Sequence, residues 1–597
     1  MVDGPSPPWL QPAVKILGIS GVDGTVEFKR RQWPGLEERE YRISQGHDSA
    51  AALVIDGEVV AAVAEERISR RKHSGDFPAG AIAVCLEQAG VKASELDEVV
   101  HSFDFAPYRM LYQLDPISAR LYDEVLSPDV FAAHVSRALP GLRRARVGAV
   151  EHHLAHAASA YYTSGWDECV VMVVDGMGEA HAATVYVGRG GRLEPVHRVA
   201  AADSIGVLYS VLTLHLGFDF NSDEYKVMGL APYGDPERFS SFFADAVRLR
   251  DDGGWEIPLL RQDRTRQERE NHTGVRRYLT EHLIPPRKVD GPIDSEHEDV
   301  AAALQQCLDR TMLHVCSKFG SRLGMQRLAL AGGVALNTTA NAKLLEAELF
   351  EEIYIQPAAA DDGSSLGAAL QRAAAAGEVA NRRSPTPFYG PAPGHDQVDA
   401  ALRRFADRVT VDPLPSLDAT CEAAAALIDE GIVIAWYRGR MEFGPRALGH
   451  RSILADPRRP DMRDRVNRLV KMREAFRPFA PAVSLEQVDR WFEVRPGTEL
   501  PYMNVNARVR PQHRDALPAT THVDGSARIQ TVSKRDNPEF WALVRAIGRR
   551  TGQEIVLNTS FNVKGQPIVN TPAEAIETFL STGIQALFLE NALVQRR

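Results

Sequence analysis

Two short runs in this chain carry residue types and spacings suited to metal chemistry. The first is Glu151-His152-His153-Leu154-Ala155-His156, and the second is Asp175-Gly176-Met177-Gly178-Glu179. On a helix, residues four apart share a face, so His152 and His156 can reach one ion, while His153 is turned about 100° away. Asp175 closes an apolar run, residues 169–174, that reads as a buried strand. A carboxylate at the end of such a strand, just before glycines, is poised over a cleft. An i, i+4 histidine pair alone also describes ordinary surface or core histidines, and the strand-end aspartate is what favours a site. Two imidazoles with carboxylates suit a first-row divalent metal with open coordination positions. That chemistry points to an enzyme with a metal-held substrate.

A second set is basic. Arg438, Arg440, Arg446 and Arg451 are interleaved with Gly439, Gly444 and Gly449, and Lys471, Arg473 and Arg477 follow closely. Arg528 ends an Asp524-Gly525-Ser526-Ala527 run, and Asn558 and Asn562 bracket a strand-to-loop passage. Guanidinium forks match phosphate oxygens with paired hydrogen bonds, so phosphate or nucleotide binding is expected here. The chain has no GxxxxGK[ST] run, which excludes a Walker-type site. Gly332-Gly333 between a strand and a helix would let a ligand approach the backbone. Asp361-Asp362-Gly363 precedes a helix expected to begin near Leu366, and offers either caps or ligands.

The elements that must hold these residues repeat. A strand at 14–19 and the Gly46-His47-Asp48-Ser49 loop precede a strand at 51–55, the Asp56-Gly57 turn and a return strand at 58–64. Strand 169–174, its glycine loop, strand 181–187, a Gly-Arg-Gly-Gly turn and strand 193–199 repeat the scheme. The duplication predicts an α/β domain of the actin and sugar-kinase type, whose paired loops face one cleft. Residues 20–45 interrupt the first copy and read as an inserted loop. Residues 261–277, charged and nearly free of apolar side chains, read as an exposed loop. Residues 373–397 are rich in Ala, Pro and Gly and read as the linker between domains. Beyond it, a helix is expected at 417–429 and a strand at 432–436.

The chain has 597 residues, 44% apolar and 25% charged, with a net charge of -10. Its length predicts two to four domains, and its acidity argues against a stable nucleic-acid partner. The five cysteines form no CxxC pair and read as core thiols in a reducing compartment. No apolar run approaches the ~18 residues that span a membrane. Residues 1–12, rich in Pro and Gly, read as a disordered leader, and the expected location is the cytoplasm.

In order along the chain, several segments resemble the O-carbamoyltransferases of natural-product and nodulation-factor biosynthesis, the tobramycin carbamoyltransferase type. They are Gly46 to Ala51, Glu151 to Ala157, Val173 to Glu179, Tyr225 to Gly234, Gly332 to Asn337, Glu442 to Arg451, Phe476 to Pro481 and Leu557 to Gly565. The resemblance implies an actin-like carbamoyl-transfer domain at 13–380, similar to the tRNA threonylcarbamoyl transferases. It implies a YrdC-like α/β domain at 381–597 that makes carbamoyl-adenylate from carbamoyl phosphate and ATP, with Mg2+ accompanying the ATP. A metal, usually iron as Fe2+, would be held by His152, His156, Asp175 and Asp361, with Asp362 the alternative fourth ligand. Arg446, Arg451, Lys471 and Arg477 would hold carbamoyl phosphate and the ATP phosphates, and Arg528, Asn558 and Asn562 the nucleotide side. Gly176, Gly178, Glu224, Lys226, Gly332, Gly333 and Asn337 would line the adenylate site of the first domain. This sequence departs from the family pattern at residues 20–45, which lie beside the expected acceptor cleft.

The expected reaction transfers a carbamoyl group from the adenylate to a hydroxyl of a small-molecule acceptor, the metal acting as Lewis acid and His47 or Asp48 as general base. A threonylcarbamoyl transferase acting on tRNA and an actin-like metabolite kinase are the rival readings. The first would call for a basic arm, and the second leaves the arginine block unused. The acceptor's identity stays open, and a homodimer is compatible with the sequence.

Overall fold

The computed structural model describes residues 13–142, 146–377, 386–474 and 476–597. The expected leader, residues 1–12, lies outside them, as do residues 378–385 around the expected domain boundary.

The first sheet is built from β1 (Lys15–Ile19), β2 (Ala50–Ile55), β3 (Glu58–Ala64), β4 (Glu98–His101) and β5 (Arg146–Ala149), in the order β3-β2-β1-β4-β5. β1 runs antiparallel to β2 and parallel to β4. Asp56 and Gly57 turn the β2–β3 hairpin with φ of 51° and 77°, the double positive φ that matches strand twist in a two-residue turn. The second sheet is built from β6 (Glu168–Val174), β7 (His181–Arg189), β8 (Arg192–Ala200), β9 (Arg327–Ala331) and β10 (Glu352–Ile355), in the order β10-β9-β6-β7-β8. β6 is antiparallel to β7 and parallel to β9. Strand for strand, order and polarity repeat those of the first sheet. The expected duplication of the actin and sugar-kinase type is therefore present.

In each copy the last strand leads into a helix, His152–Ser164 after β5 and Asp361–Ala375 after β10. The two helices pack against each other between the sheets. Small residues permit a close approach: a Cβ at Gly367 would stand 1.7 Å from the Ala155 carbonyl oxygen. Ala155, Ala158, Ala368 and Ala369 are all fully buried along this seam, and backbone rather than side-chain bulk sets the helix separation.

The second half forms a mixed eight-stranded sheet running from Val409–Pro413 to Ala592–Arg596. The helices Leu417–Asp429 and Pro538–Thr551 pack against each other on one apolar cluster, and His395–Arg404 and Pro572–Ser581 on another. The α/β character expected here is thus met. Val488, Trp491, Phe492 and Leu517, in the segment between two strands of this sheet, join the core of the second actin-like copy.

Four local expectations are corrected. Residues 20–45 contain the helix Thr25–Gln32 and a short 3-10 turn, Glu38–Arg42. Val22 and Phe28, with Trp33 beside them, anchor them against Phe103, Phe105, Tyr122 and Val125; a few apolar residues among many charges were enough to dock the segment. Residues 261–277 are largely helical, in Arg266–Asn271 and Thr273–His282, because Val275 and Leu279 are completely buried. Lys29 ties the two segments: its buried Nζ donates to the carbonyls of Glu40 (2.9 Å), Ile43 (2.6 Å) and Glu270 (2.6 Å). The helix expected to start near Leu366 starts at Asp361, so both aspartates lie in its first turn, where carboxylates suit the helix dipole. Finally, the described end of the expected linker is a packed strap. Tyr389 is buried, and its carbonyl accepts from Ala62 N (3.2 Å) and from Arg440 (2.6 Å).

All five cysteines are buried and free, as core thiols should be. Among the described residues no helix is long and apolar enough to cross a membrane.

Candidate active site

The helix seam brings the acid and imidazole groups together. Ligand atoms of His152, His156, Asp175 and Asp361 all lie within 4.8 Å of one another. His152 Nε2 is 3.0 Å from His156 Nε2, 3.3 Å from Asp175 Oδ2 and 3.4 Å from Asp361 Oδ1. His156 Nε2 is 3.6 Å from the same Asp361 oxygen. The histidines come from the first turns of one helix, Asp361 from the first turn of its partner, and Asp175 from the end of β6. Asp362 points elsewhere, its Oδ1 accepting from Gly363 N at 2.9 Å.

The surroundings hold these side chains in place. His152 Nδ1 donates to the Ser102 carbonyl (3.1 Å), which leaves Nε2 as the lone-pair nitrogen, and the ring stacks on Phe103 at 3.8 Å. Gly333 N donates to Asp175 Oδ1 (2.8 Å). Glu179 caps the helix by accepting from His152 N (3.0 Å) and Asp104 N (2.7 Å). His153 faces the other way, onto the Thr184 hydroxyl (2.9 Å). Burial alone would hold His152 below its ordinary pKa, but Asp361 and Asp175 raise it well above. Burial would lift Asp175, but His152 and His156 pull it far down. The cluster thus keeps its carboxylates ionised and asks for positive charge. Two carboxylates and two imidazoles, one with an oriented lone pair, fit a divalent first-row ion.

Asp361 opens onto a cavity of about 670 Å³ that runs to the second half of the chain. Its lining includes Arg446, Lys471, Arg473, Arg477 and Arg528, joined by Lys72 from the first half. Lys471 Nζ is anchored by four oxygens of Ser560 and Asn562, at 2.6–3.2 Å. Arg477 lies over the Tyr225 ring (4.4 Å) and Arg473 over Phe479 (4.0 Å). The Nε atoms of Arg446, Arg473 and Arg528 are buried without a hydrogen-bond partner. Burial first, and repulsion from Arg477 second, lower Arg446 to about 10 and Arg473 to about 9. Burial and the neighbouring arginines push Arg528 down as well. Glu474, 3.3 Å from Lys226 and 3.5 Å from Arg477, is a modest counter-charge. Cations gathered this closely with so little counter-charge suit a polyanion.

Several expected residues line this cavity: His47, Asp48, Gly176, Glu224, Lys226, Gly333, Asn337, Arg446, Lys471, Arg477, Arg528 and Asn562. Others do not. Arg451 is fully buried, its guanidinium donating to the carbonyls of Arg438, His450, Pro391 and Gly439 and stacking on Tyr437 at 3.7 Å. It is a brace for the arginine loop: both terminal nitrogens are spent on carbonyls, and the remaining Nε is buried away from the cavity. Asn558 bonds to the Ala447 carbonyl and Gln530, behind the cavity wall. Gly178 and Gly332 also stand back from the cavity: Gly332 adopts φ of 88° against the Val174 carbonyl. The Nε2 of His47 is pressed against the Ser44 carbonyl and the Asn221 side-chain amide.

Lys72, His73 and Tyr225 are not singled out by the sequence as site residues, and Arg473 falls in the basic set without a specific ligand. The Arg70-Arg71-Lys72-His73 run was a visible basic signal; its loop conformation, with His73 at φ of 54°, was not.

The chain matches two known family models. The family model described as carbamoyltransferase N-terminus matches residues 42–111 and 105–370, and the carbamoyltransferase C-terminus model matches residues 425–596. The chain belongs to the carbamoyltransferase family. Nodulation protein NolNO of Sinorhizobium fredii is 40% identical over 563 residues, covering 92% of this chain and 79% of that protein. Nodulation protein NolO of Bradyrhizobium diazoefficiens is 41% identical over 451 residues, covering 75% and 79%. The 3'-hydroxymethylcephem-O-carbamoyltransferase of Amycolatopsis lactamdurans is 33% identical over 275 residues, covering 45% and 49%. This chain is thus a carbamoyltransferase, as its motifs led one to expect. Residues 20–41 lie outside the N-terminal family match.

Proposed function

We propose that this carbamoyltransferase works in two stages along its cavity. In the first, carbamoyl phosphate and Mg2+-bound ATP give carbamoyl-adenylate, pyrophosphate and phosphate among the cations contributed by residues 381–597. In the second, the carbamoyl group passes to a hydroxyl of a small-molecule natural product beside the acid-imidazole cluster of residues 13–380. The observation that carries this reading is the set of arginines Arg446, Arg473 and Arg528, each with a buried Nε that has no partner, lining the same cavity as Asp361.

The residues' parts follow from charge and placement. Arg446, Arg473, Arg477 and Arg528 neutralise the phosphates of both substrates and align the carbamate oxygen with the α-phosphate; positioning and electrostatics suffice for such transfer. Lys471, fixed by four oxygens, adds a point charge of defined position. Lys72 carries positive charge from the transfer side towards the same phosphates. His152, His156, Asp175 and Asp361 would hold a divalent ion, for which we propose iron, and that ion supplies Lewis acidity at the transfer end. Glu224 lines the cavity and accepts from Ser210 (2.6 Å) and Asn221 N (2.8 Å), so it orders the loop beside the acceptor.

The test needs no acceptor. Purified protein with ATP and carbamoyl phosphate should release pyrophosphate, with carbamoyl-adenylate or AMP, only when carbamoyl phosphate is present. Formation of ADP, or no turnover, would overturn the two-stage reading in favour of a kinase-like activity or none.

A further inference from the structure

His47 and Asp48 were the expected candidates for taking the acceptor's proton. The geometry separates them. His47 Nε2 is engaged by the Ser44 carbonyl and Asn221, and burial lowers its proton affinity. Asp48 is committed too: its Oδ1 lies 2.8 Å from His73 Nδ1. We propose that His73, oriented by Asp48, is the general base that removes the acceptor hydroxyl's proton during carbamoyl transfer. The inference rests on the two-stage reading above and assigns a residue that reading leaves open.

The arrangement has the features such a base requires. Nδ1 donates to the Asp48 carboxylate, so Nε2 carries the lone pair, and Nε2 has no protein partner. The backbone N–H of His73 donates to Glu66 Oε2 at 3.1 Å, and Ser49 N donates to the Ser74 carbonyl at 2.9 Å, lacing the two loops together. Asp48 and His73 both adopt left-handed backbone, φ 51° and 54°. Two non-glycine residues held so, facing each other, mark a geometry imposed by the surroundings. Both residues line the cavity with Asp361.

The donors of Asp48, Glu66 and His73 lie within 4.8 Å of one another and could in principle hold an ion. They are already used: Asp48 on His73, and Glu66 on Arg67 at 2.6 Å and on the His73 backbone. The charged groups facing His73 are Asp48, Glu66 and Lys72, with His47 and Glu224 further round the cavity. Burial opposes the charged ring, yet Asp48 raises its proton affinity above the ordinary histidine value. That suits a base near neutral pH.

The step balances. The acceptor O–H proton passes to Nε2 as the oxygen attacks the carbamoyl carbon. The C–O bond to the adenylate phosphate breaks, AMP leaves with that electron pair, and the imidazolium releases its proton to water. The products are the O-carbamate, AMP and one proton.

Two probe nucleophiles test the assignment, competing for carbamoyl-adenylate made in place from ATP and carbamoyl phosphate. Hydroxylamine attacks without prior loss of a proton; ethylene glycol, as an alcohol, needs the base. The product ratio of glycol carbamate to hydroxyurea does not depend on how much protein is folded. His73→Gln should lower that ratio by about 100-fold or more, and added imidazole should restore it in His73→Ala. Asp48→Asn should move the acid limb of glycol transfer to lower pH, because the carboxylate no longer raises the imidazole. A ratio in His73→Gln within about threefold of the unaltered protein, or hydroxyurea without any glycol carbamate from the unaltered protein, overturns the assignment. Absence of pyrophosphate from the unaltered protein would instead refute the two-stage reading beneath it.

Discussion

The Nε2 atoms of His152 and His156 stand 3.0 Å apart, with one oxygen of Asp361 3.4 Å and 3.6 Å from them. Two N–H bonds cannot point at each other across that gap, so at least one nitrogen presents a lone pair. A shared cation resolves the contact. The purified protein should carry about one equivalent of divalent metal, and His156→Ala should lose it, both read by elemental analysis. Metal at 100 times its dissociation constant should stabilise the fold by about 2.7 kcal/mol, and a chelator should reverse that shift in Tm.

The arginine cluster carries a cost that only its ligands relieve. Arg528 is half-buried, faces Arg446, Arg473 and Arg477, and has a buried, unpartnered Nε. Replacing a buried charge by an apolar side chain of similar volume is often neutral or stabilising by about 1–4 kcal/mol. Arg528→Met should therefore raise the Tm of the ligand-free protein while abolishing pyrophosphate release. A fall in both would show that the guanidinium has a structural partner in solution.

Gly367 sets how closely the two central helices approach. Gly367→Ala would place a Cβ 1.7 Å from the Ala155 carbonyl oxygen, and the helices must part. Overpacking of this kind costs about 1–3 kcal/mol or more. Because His156 and Asp361 sit on opposite sides of the seam, the variant should lose retained metal as well as stability. Thermal unfolding and metal content measured on one sample test the coupling.

Lys29 gives residues 20–45 a pH dependence with a defined sign. Burial, outweighing Glu270 and Glu40, lowers its amine from 10.5 to about 8. The unfolded segment therefore binds more protons than the folded one between about pH 8 and 10.5, and stability rises with pH across that window. The cost of the buried ammonium is fully present below about pH 8 and gone above 10.5. It amounts to at most roughly 3 kcal/mol. Hydrogen exchange over residues 25–45, corrected for intrinsic rates, should show stronger protection at pH 9.5 than at pH 7.5. Lys29→Met should flatten that difference while lowering protection at both values, since three carbonyls lose their donor.

Much of this protein is determined by local sequence. The short apolar strand runs, the Asp56-Gly57 turn and the recurrence of the strand scheme specify a duplicated α/β fold, because apolar runs and turn chemistry act over a few residues. The i, i+4 spacing of His152 and His156 likewise sets them on one face. Tertiary structure decided the rest, because those choices depend on partners distant in the chain. Asp361 rather than Asp362 faces the histidines because the helix begins at Asp361 and packs on Ala155 through Gly367. Arg446 and Arg451, five residues apart in one motif, part company: one guanidinium lines the cavity and the other is consumed by backbone carbonyls. His47 and His73 exchange apparent importance in the same way, for what an imidazole can do is set by which of its nitrogens its neighbours leave free. Residue type and spacing announce a chemistry, and only the fold decides which atoms remain available to perform it.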